Sequence, residues 1–108
     1  MSPKRGEIWW VNLDPARGGE IKKKRPCVVV SADFVNQGRK TPVVVPLSTS
    51  PLAAPPLVVA VPSAGRDSVA VVDQMRAVDK GRCLSSPGTL SAVDVQAVEA
   101  AMRLVLQL

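Results

Sequence analysis

Between Gly18 and Pro26 the chain reads Gly-Gly-Glu-Ile-Lys-Lys-Lys-Arg-Pro, and this stretch gathers the residue types best suited to handling phosphate. Two glycines open it, Glu20 is its one acid, and Lys22 to Arg25 set four cations in a row, out of fourteen in the whole chain. A proline restricts the residue before it to extended backbone, so Arg25 is held extended just where the apolar run Cys27 to Val30 begins. The pattern predicts a mobile cationic loop at the mouth of a rigid element, able to grip a polyanion and set one guanidinium against a phosphate. A second polar group, the hydroxyls of Ser48-Thr49-Ser50, follows the apolar run Val43 to Leu47 and precedes a proline-rich loop. If the two apolar runs pair antiparallel, the start of one lies beside the end of the other. Arg25 and Thr49 then share one rim, where a guanidinium and a hydroxyl can converge on a phosphate. On spacing alone both residues also fit structural duties, Arg25 as a surface cation and Thr49 as a turn-capping hydroxyl.

The chain has no histidine and no tyrosine. That removes histidine-based acid/base schemes, including Ser-His-Asp triads and two-histidine ribonucleases, along with any tyrosine nucleophile. No Gly-rich nucleotide-phosphate loop occurs. Without His or a Cys-x-x-Cys pair, a zinc site has almost no ligands to draw on. The nine carboxylates are scattered, and no local cluster marks a two-metal site. Arg25, Glu20 and the three hydroxyls remain as the candidates for chemistry.

Composition sets the frame for those residues. The 108 residues predict one small domain, and an apolar fraction of 46% is ample for a packed core. The net charge of +5 favours an anionic partner, nucleic acid or an acidic protein. Two Trp and one Phe make base-stacking platforms of the sheet-reader kind unlikely to dominate. Trp9 and Trp10 read first as core or subunit packing, with base stacking as the alternative. Spacing leaves a Cys27–Cys83 disulfide open, and reduced thiols are the expectation because Cys27 lies inside an apolar strand. The start, Met1 to Glu7, is polar and no h-region of a signal peptide follows it, which predicts a cytosolic chain without a signal peptide.

The elements that must position the candidates are short. Strands are expected at Glu7–Leu13, Pro26–Ser31, Pro42–Leu47, Leu57–Val61 and Ser68–Val72, the last continuing to Val78, with a short sixth at Arg82–Leu84. Loops are expected at Ala16–Lys24 and Ser48–Pro56, and turns at Asn36–Lys40, Ser63–Asp67 and Ser85–Gly88. Ser91 and Asp94 form a capping pair of the Ser-x-x-Asp kind. Val98, Met102 and Val105 then recur with helical spacing to the end of the chain. Five or six short strands followed by one terminal helix point to a mainly β fold, a small barrel with a helix packed on it.

Taken together, the motifs resemble the MazF/PemK-type toxins, the endoribonucleases of type II toxin–antitoxin pairs. The resemblance rests on Arg5-Gly6-Glu7-Ile8-Trp9 with Asp14-Pro15, then Gly19-Glu20 leading to Arg25-Pro26-Cys27-Val28-Val29-Val30. Val44-Val45-Pro46-Leu47-Ser48-Thr49-Ser50 and Arg66 through Arg76 follow in the same order. It implies an SH3-like barrel with a terminal helix, working as a homodimer. It also implies cleavage of single-stranded RNA without metal or other cofactor. In that reaction a ribose 2′-hydroxyl attacks the adjacent phosphorus, leaving a 2′,3′-cyclic phosphate and a 5′-hydroxyl. The catalytic arginine falls on Arg25, the catalytic Thr/Ser on Thr49, the loop acid on Glu20 and a base-contacting glutamine on Gln74. Beside that carry-over, Lys22, Lys23 and Lys24 read as guides for the RNA backbone, and Gly19, Ser48 and Ser50 as further RNA contacts. A partner antitoxin, acidic and partly disordered, is implied as well.

The chemistry suits the inventory, because attack by an internal hydroxyl gains from alignment and needs no bound nucleophile. Arginine holds its proton too tightly to serve as a base at neutral pH, so Arg25 is cast as charge stabiliser and acid, with Glu20 or water as base. Ile21-Lys22-Lys23-Lys24 fills the gap between Glu20 and Arg25-Pro26 where many relatives carry Gln and a small residue, and the three lysines strengthen non-specific phosphate binding. Two other readings share the sequence: a non-catalytic inhibitor of DNA gyrase on the same fold, and a basic RNA-binding module without cleavage.

Overall fold

A computed structural model describes residues 2–108. Its framework is three antiparallel strands, β1 (Glu7–Asn12), β2 (Lys24–Val29) and β3 (Val43–Ser48). Trp9 stands opposite Cys27 across the first pair, and Cys27 opposite Pro46 across the second. Alternation along β2 sends Val28 to one core and Cys27 and Val29 to another, so the strand is buried on both faces. The larger core gathers Ile8, Val28, Val45, Leu47 and Val61 under the C-terminal helix; the smaller gathers Trp9, Val11, Leu13, Cys27 and Val44. β4 (Val58–Ala60), β5 (Val69–Val71), β6 (Arg76–Ala77) and β7 (Cys83–Thr89) complete the order β4-β5-β3-β2-β1-β7, with β6 beside β5 on β3. The sheet is barrel-like but stays open between its edges, β4 and β7.

Four elements differ from expectation, each for a tertiary reason. β2 starts at Lys24, two residues before Pro26, because Lys24 pairs with Asn12 and Arg25 with Val11. Arg25 therefore sits inside a ladder rather than at a hinge before it, and Lys24 belongs to the strand rather than to the loop. The polar turn expected at Asn36–Lys40 is in fact the end of a short helix, α1 (Asp33–Gly38). Asn36 is fully buried there, donating from Nδ2 to the Ser31 carbonyl at 3.0 Å and accepting from the Ser31 hydroxyl. The expected turn at Ser85–Gly88 lies within β7, whose Pro87 is tolerated because the strand is an edge. Finally, the long strand expected from Ser68 to Val78 is broken by a 3-10 turn at Val72–Gln74. On β3 three residues separate Leu47 from Val44, whereas six separate their partners Ala70 and Arg76. The surplus is expelled from the ladder at the turn that carries Gln74.

The terminal helix α2 (Ala92–Leu106) buries Val98 and Ala101 against the larger core, with Met102 and Val105 packed beside them. No helix is long and apolar enough to cross a membrane among the described residues. The Ser91 side chain caps it by accepting from the Asp94 N–H at 3.2 Å. The buried Asp94 carboxylate does not return to Ser91. It accepts from the Ser63 N–H at 2.8 Å and from the Ser63 hydroxyl, while Ser63 Oγ accepts from the Ser91 N–H at 3.0 Å. Ser63 thus completes the box as a relay and fastens the helix start to the turn after β4. Asp94→Ala orphans those donors and should lower stability by about 2 kcal/mol in urea melts.

Both thiols are free, on the strands that flank β1. Burial pushes the Cys27 thiol up to about 12, with Cys83 adding to the shift and Arg76 opposing it. Partial burial, then Asp79, raises Cys83. A folded thiol that holds its proton more tightly than the unfolded one stabilises the fold fully below the ordinary value of 9.0, and this contribution is lost as pH climbs towards 12. Urea melts between pH 9 and 12 should therefore show wild type losing stability more steeply than Cys27→Ala; parallel curves would refute the assignment.

Candidate functional site

The pairing of β2 with β3 decides what meets at the rim. Carried two residues past the Cys27–Pro46 pair, the register sets Arg25 across from Ser48 and Pro26 across from Leu47. Alternation puts the first pair and the second on opposite faces. Pro26, Leu47, Ile8 and Trp10 line a cleft of about 420 Å³, and Arg25, Ser48 and Thr49 stand on its edge. Ser63, Ser68 and Thr89 bring further hydroxyls to the same cleft. Arg25 and Thr49, expected to share a rim, are together.

The Arg25 guanidinium is exposed, and its Nε donates to the Lys22 carbonyl at 3.3 Å. Among the described residues it has no carboxylate partner. Its charge is thus available to an anion while its stem is steered by the loop backbone. Ser48 Oγ accepts from the Ser50 N–H at 3.2 Å, which leaves the Ser48 proton available for donation. Thr49 and Ser50 are exposed. Lys22, Lys23 and Lys24 all face solvent and form no ion pair among the described residues.

Glu20 is not brought to this cleft. It lines a second cavity of about 520 Å³ with Gly19, Ile21, Asp73, Gln74 and Arg76. There its carboxylate accepts from the Arg17 N–H at 2.5 Å. Gln74 shares that cavity, and its amide is engaged with the loop: Oε1 accepts from the Ile21 N–H at 2.7 Å and Nε2 donates to the Gly19 carbonyl at 3.0 Å. The loop expected to be mobile is tied at its base as well. The Lys23 N–H donates to Asp14 Oδ1 at 2.9 Å, and the Leu13 N–H donates to the Lys23 carbonyl at 2.9 Å. Lys23 itself adopts a left-handed backbone, with φ of 70°.

The two tryptophans divide. Trp9 is core, with its indole N–H donating to Glu7 Oε1 at 3.1 Å. Trp10 is 41% exposed and forms part of the cleft wall beside Pro26. Packing was the first reading for both, yet two consecutive residues of a strand face opposite ways. That alternation is the signal by which Trp10 could have been placed at the site. The cleft therefore offers an aromatic face, an uncompensated guanidinium and several hydroxyls, a set fitted to a nucleotide's base, phosphate and ribose.

Comparison with known proteins agrees across nearly the whole chain. The model of PemK-like, MazF-like toxins of type II toxin-antitoxin systems matches residues 4–106. Endoribonuclease MazF9 of Mycobacterium tuberculosis is 36% identical over 114 residues, covering 97% of this chain and 97% of that protein. Endoribonuclease toxin MazF of Escherichia coli is 29% identical over 105 residues, covering 96% and 94% respectively. In fold, MazF from Deinococcus radiodurans superposes with a TM-score of 0.88 at 23% identity, covering 100% of this chain and 99% of the other. An endoribonuclease in complex with its cognate antitoxin, from a mycobacterial species, gives 0.81 at 18% identity, covering 99% and 97%. An open barrel of seven strands with a capping helix, a cationic loop leading into Arg25-Pro26 and a family match over residues 4–106 make this chain a member of the PemK-like, MazF-like toxins of type II toxin-antitoxin systems.

Proposed function

We infer that this chain is an endoribonuclease toxin that cleaves single-stranded RNA, messenger RNA in the cell, and so stops translation and growth. The observation that carries the reading is Arg25, an uncompensated guanidinium on the rim of a hydroxyl-lined cleft, in a chain with no histidine. The ribose 2′-hydroxyl attacks the adjacent phosphorus, the bond to the 5′-oxygen breaks, and the products carry a 2′,3′-cyclic phosphate and a 5′-hydroxyl. Arg25 stabilises the charge that builds on the phosphorane and supplies a proton to the leaving oxygen. Thr49 and Ser48 donate hydrogen bonds to the non-bridging oxygens, Ser48 from directly opposite Arg25. Water is the acceptor available at the cleft for the 2′-hydroxyl proton; Glu20, which lines the other cavity, takes it only if the loop carries its carboxylate across. The reaction needs no metal, because the nucleophile lies within the substrate. Gly19, Ser50 and the three lysines hold the RNA backbone.

The reading extends to partners and place. The protein acts as a homodimer in the cytoplasm, where messenger RNA is translated. A cognate antitoxin restrains it, an acidic and partly disordered segment that folds over the cationic face. Support comes from the net charge of +5 and from the antitoxin complex in a protein of the same fold.

Purified protein should cut single-stranded RNA in EDTA and leave cyclic-phosphate ends. Arg25→Ala should abolish cutting, and Ser48→Ala or Thr49→Ala should each slow it by roughly 10²-fold, the loss expected for one donor to a developing oxyanion. A loss of rate of roughly 10²-fold or more in Glu20→Gln assigns the proton to Glu20, and a rate within a few-fold of wild type assigns it to water. Full activity in Arg25→Ala, a metal requirement, or gyrase inhibition without RNA cleavage would overturn the reading.

Each lysine of the loop should act as a phosphate contact. Replacing Lys22, Lys23 and Lys24 together with Ala should flatten the plot of log affinity against log salt by about 2, from a slope of roughly 0.7 per charge on single strands. An unchanged slope would show that RNA passes elsewhere.

A further inference from the structure

We propose that Gln74 is a positioning residue: it latches the cationic loop to the barrel and so sets the direction of Arg25. This rests on Arg25 as the group that acts, and it differs from the role of base contact that the family resemblance gives this glutamine.

The geometry carries the assignment. Gln74 stands at the end of the 3-10 turn where three surplus residues are expelled between β5 and β6. That break turns its side chain away from the ladder and onto a segment more than fifty positions away in sequence. Both ends of the amide are engaged, Oε1 with the Ile21 N–H at 2.7 Å and Nε2 with the Gly19 carbonyl at 3.0 Å. An amide carries two N–H donors and an oxygen with two lone pairs, and here one donor and one lone pair are committed to loop peptide groups. The Ile21 bond lies one residue before Lys22, whose carbonyl accepts from Arg25 Nε at 3.3 Å. The path from Gln74 to the guanidinium is short and runs wholly through backbone: amide to Ile21, along to the Lys22 carbonyl, across to Arg25.

Neighbouring side chains hold the base of the loop but not its middle. Arg76 donates to the Leu13 carbonyl at 3.3 Å, Arg82 to the Asn12 carbonyl at 3.1 Å, and Asp14 accepts from Lys23. Glu20 bonds only within the loop, to Arg17. Gln74 is therefore the side chain that fixes the loop's middle to the barrel among the described residues. Small displacements of a positioned group cost rate steeply, up to about 10²-fold for an ångström. Without the latch, the Lys22 carbonyl and the guanidinium it steers would sample several directions.

The test uses Gln74→Met, which keeps the side chain's length and removes both hydrogen bonds. The expected result has two parts. In the RNA-free protein, hydrogen exchange at the Ile21 amide should quicken by roughly tenfold or more while β1 and β2 amides stay protected. With RNA, kcat should fall by roughly 10- to 100-fold, KM should change little, and the loss should be the same on every RNA sequence the wild type cleaves. Gln74→Glu, which keeps the acceptor for Ile21 and loses the donor to Gly19, should lie between on both readouts and provides the same test if Gln74→Met does not fold. An unchanged Ile21 exchange rate would overturn the latch, and so would a loss of rate confined to particular sequences. Failure of the catalytic reading would show differently, as full activity in Arg25→Ala.

Discussion

The position of β2 between β1 and β3 is the constraint on which the site depends. A strand paired on both edges and buried on both faces cannot slide, because a slip of one residue would exchange its two cores and strand two rows of backbone donors. Its register is therefore the least negotiable quantity in the fold, and Arg25 inherits it. Val11 opposite Arg25 on one side and Ser48 opposite it on the other are consequences of where Cys27 to Val29 must pack. The site residue emerges from the ladder at a fixed height and on a fixed face. Only its long side chain remains to be aimed, and that falls to the loop before it.

How the loop does this without neutralising the charge is a matter of bond type. A carboxylate close enough to hold Arg25 by an ion pair would also weaken its pull on a phosphate, since the negative charge beside it offsets part of the positive potential it presents. The loop instead uses neutral partners: the Lys22 carbonyl for Arg25, and the Gln74 amide for Gly19 and Ile21. Asp14 bonds to the Lys23 backbone and not to its ammonium. The one ion pair among the described residues, Arg5 with Glu99 at 3.3 Å, ties the chain's start to α2, on another part of the surface.

The sequence was most legible where packing repeats. Five strands and the terminal helix follow from apolar alternation and helical spacing, and the shared rim of Arg25 and Thr49 follows from one antiparallel pairing. The errors fall where a partner distant in sequence decides the local state. Asn36 reads as a turn residue until Ser31 supplies it with buried hydrogen bonds, after which a short helix forms around it. Ser85 to Gly88 reads as a turn because Ser, Pro and Gly punctuate it, yet an edge strand has one row of donors that need no ladder and can carry a proline. Lys24 moved from loop to strand, and Arg25 from the hinge into the ladder, because Asn12 and Val11 pair with them. The separation of Glu20 from the cleft was not legible at all, since the path of an eleven-residue connection between Asn12 and Lys24 is set by Gln74, Arg76 and Arg82, none of them near it in sequence.

The same connection explains why three lysines can stand together there. Like charges on a tethered, exposed loop repel only weakly, because water and salt screen them within about 10 Å. Side chains left in water also retain their rotamer freedom, and no ion pair among the described residues orders these three. The backbone beneath them is different: it is hydrogen-bonded at Gly19, Ile21 and Lys23. Binding a polyanion to such a surface orders flexible ammonium groups without first ordering the chain that carries them, which lowers the entropic cost of association. On the reading proposed above, selectivity for a particular RNA would come from the parts that are fixed, the cleft walls at Trp10 and Pro26 and the hydroxyls at Ser48 and Thr49, because an ammonium on a free stem does not distinguish one phosphate from another.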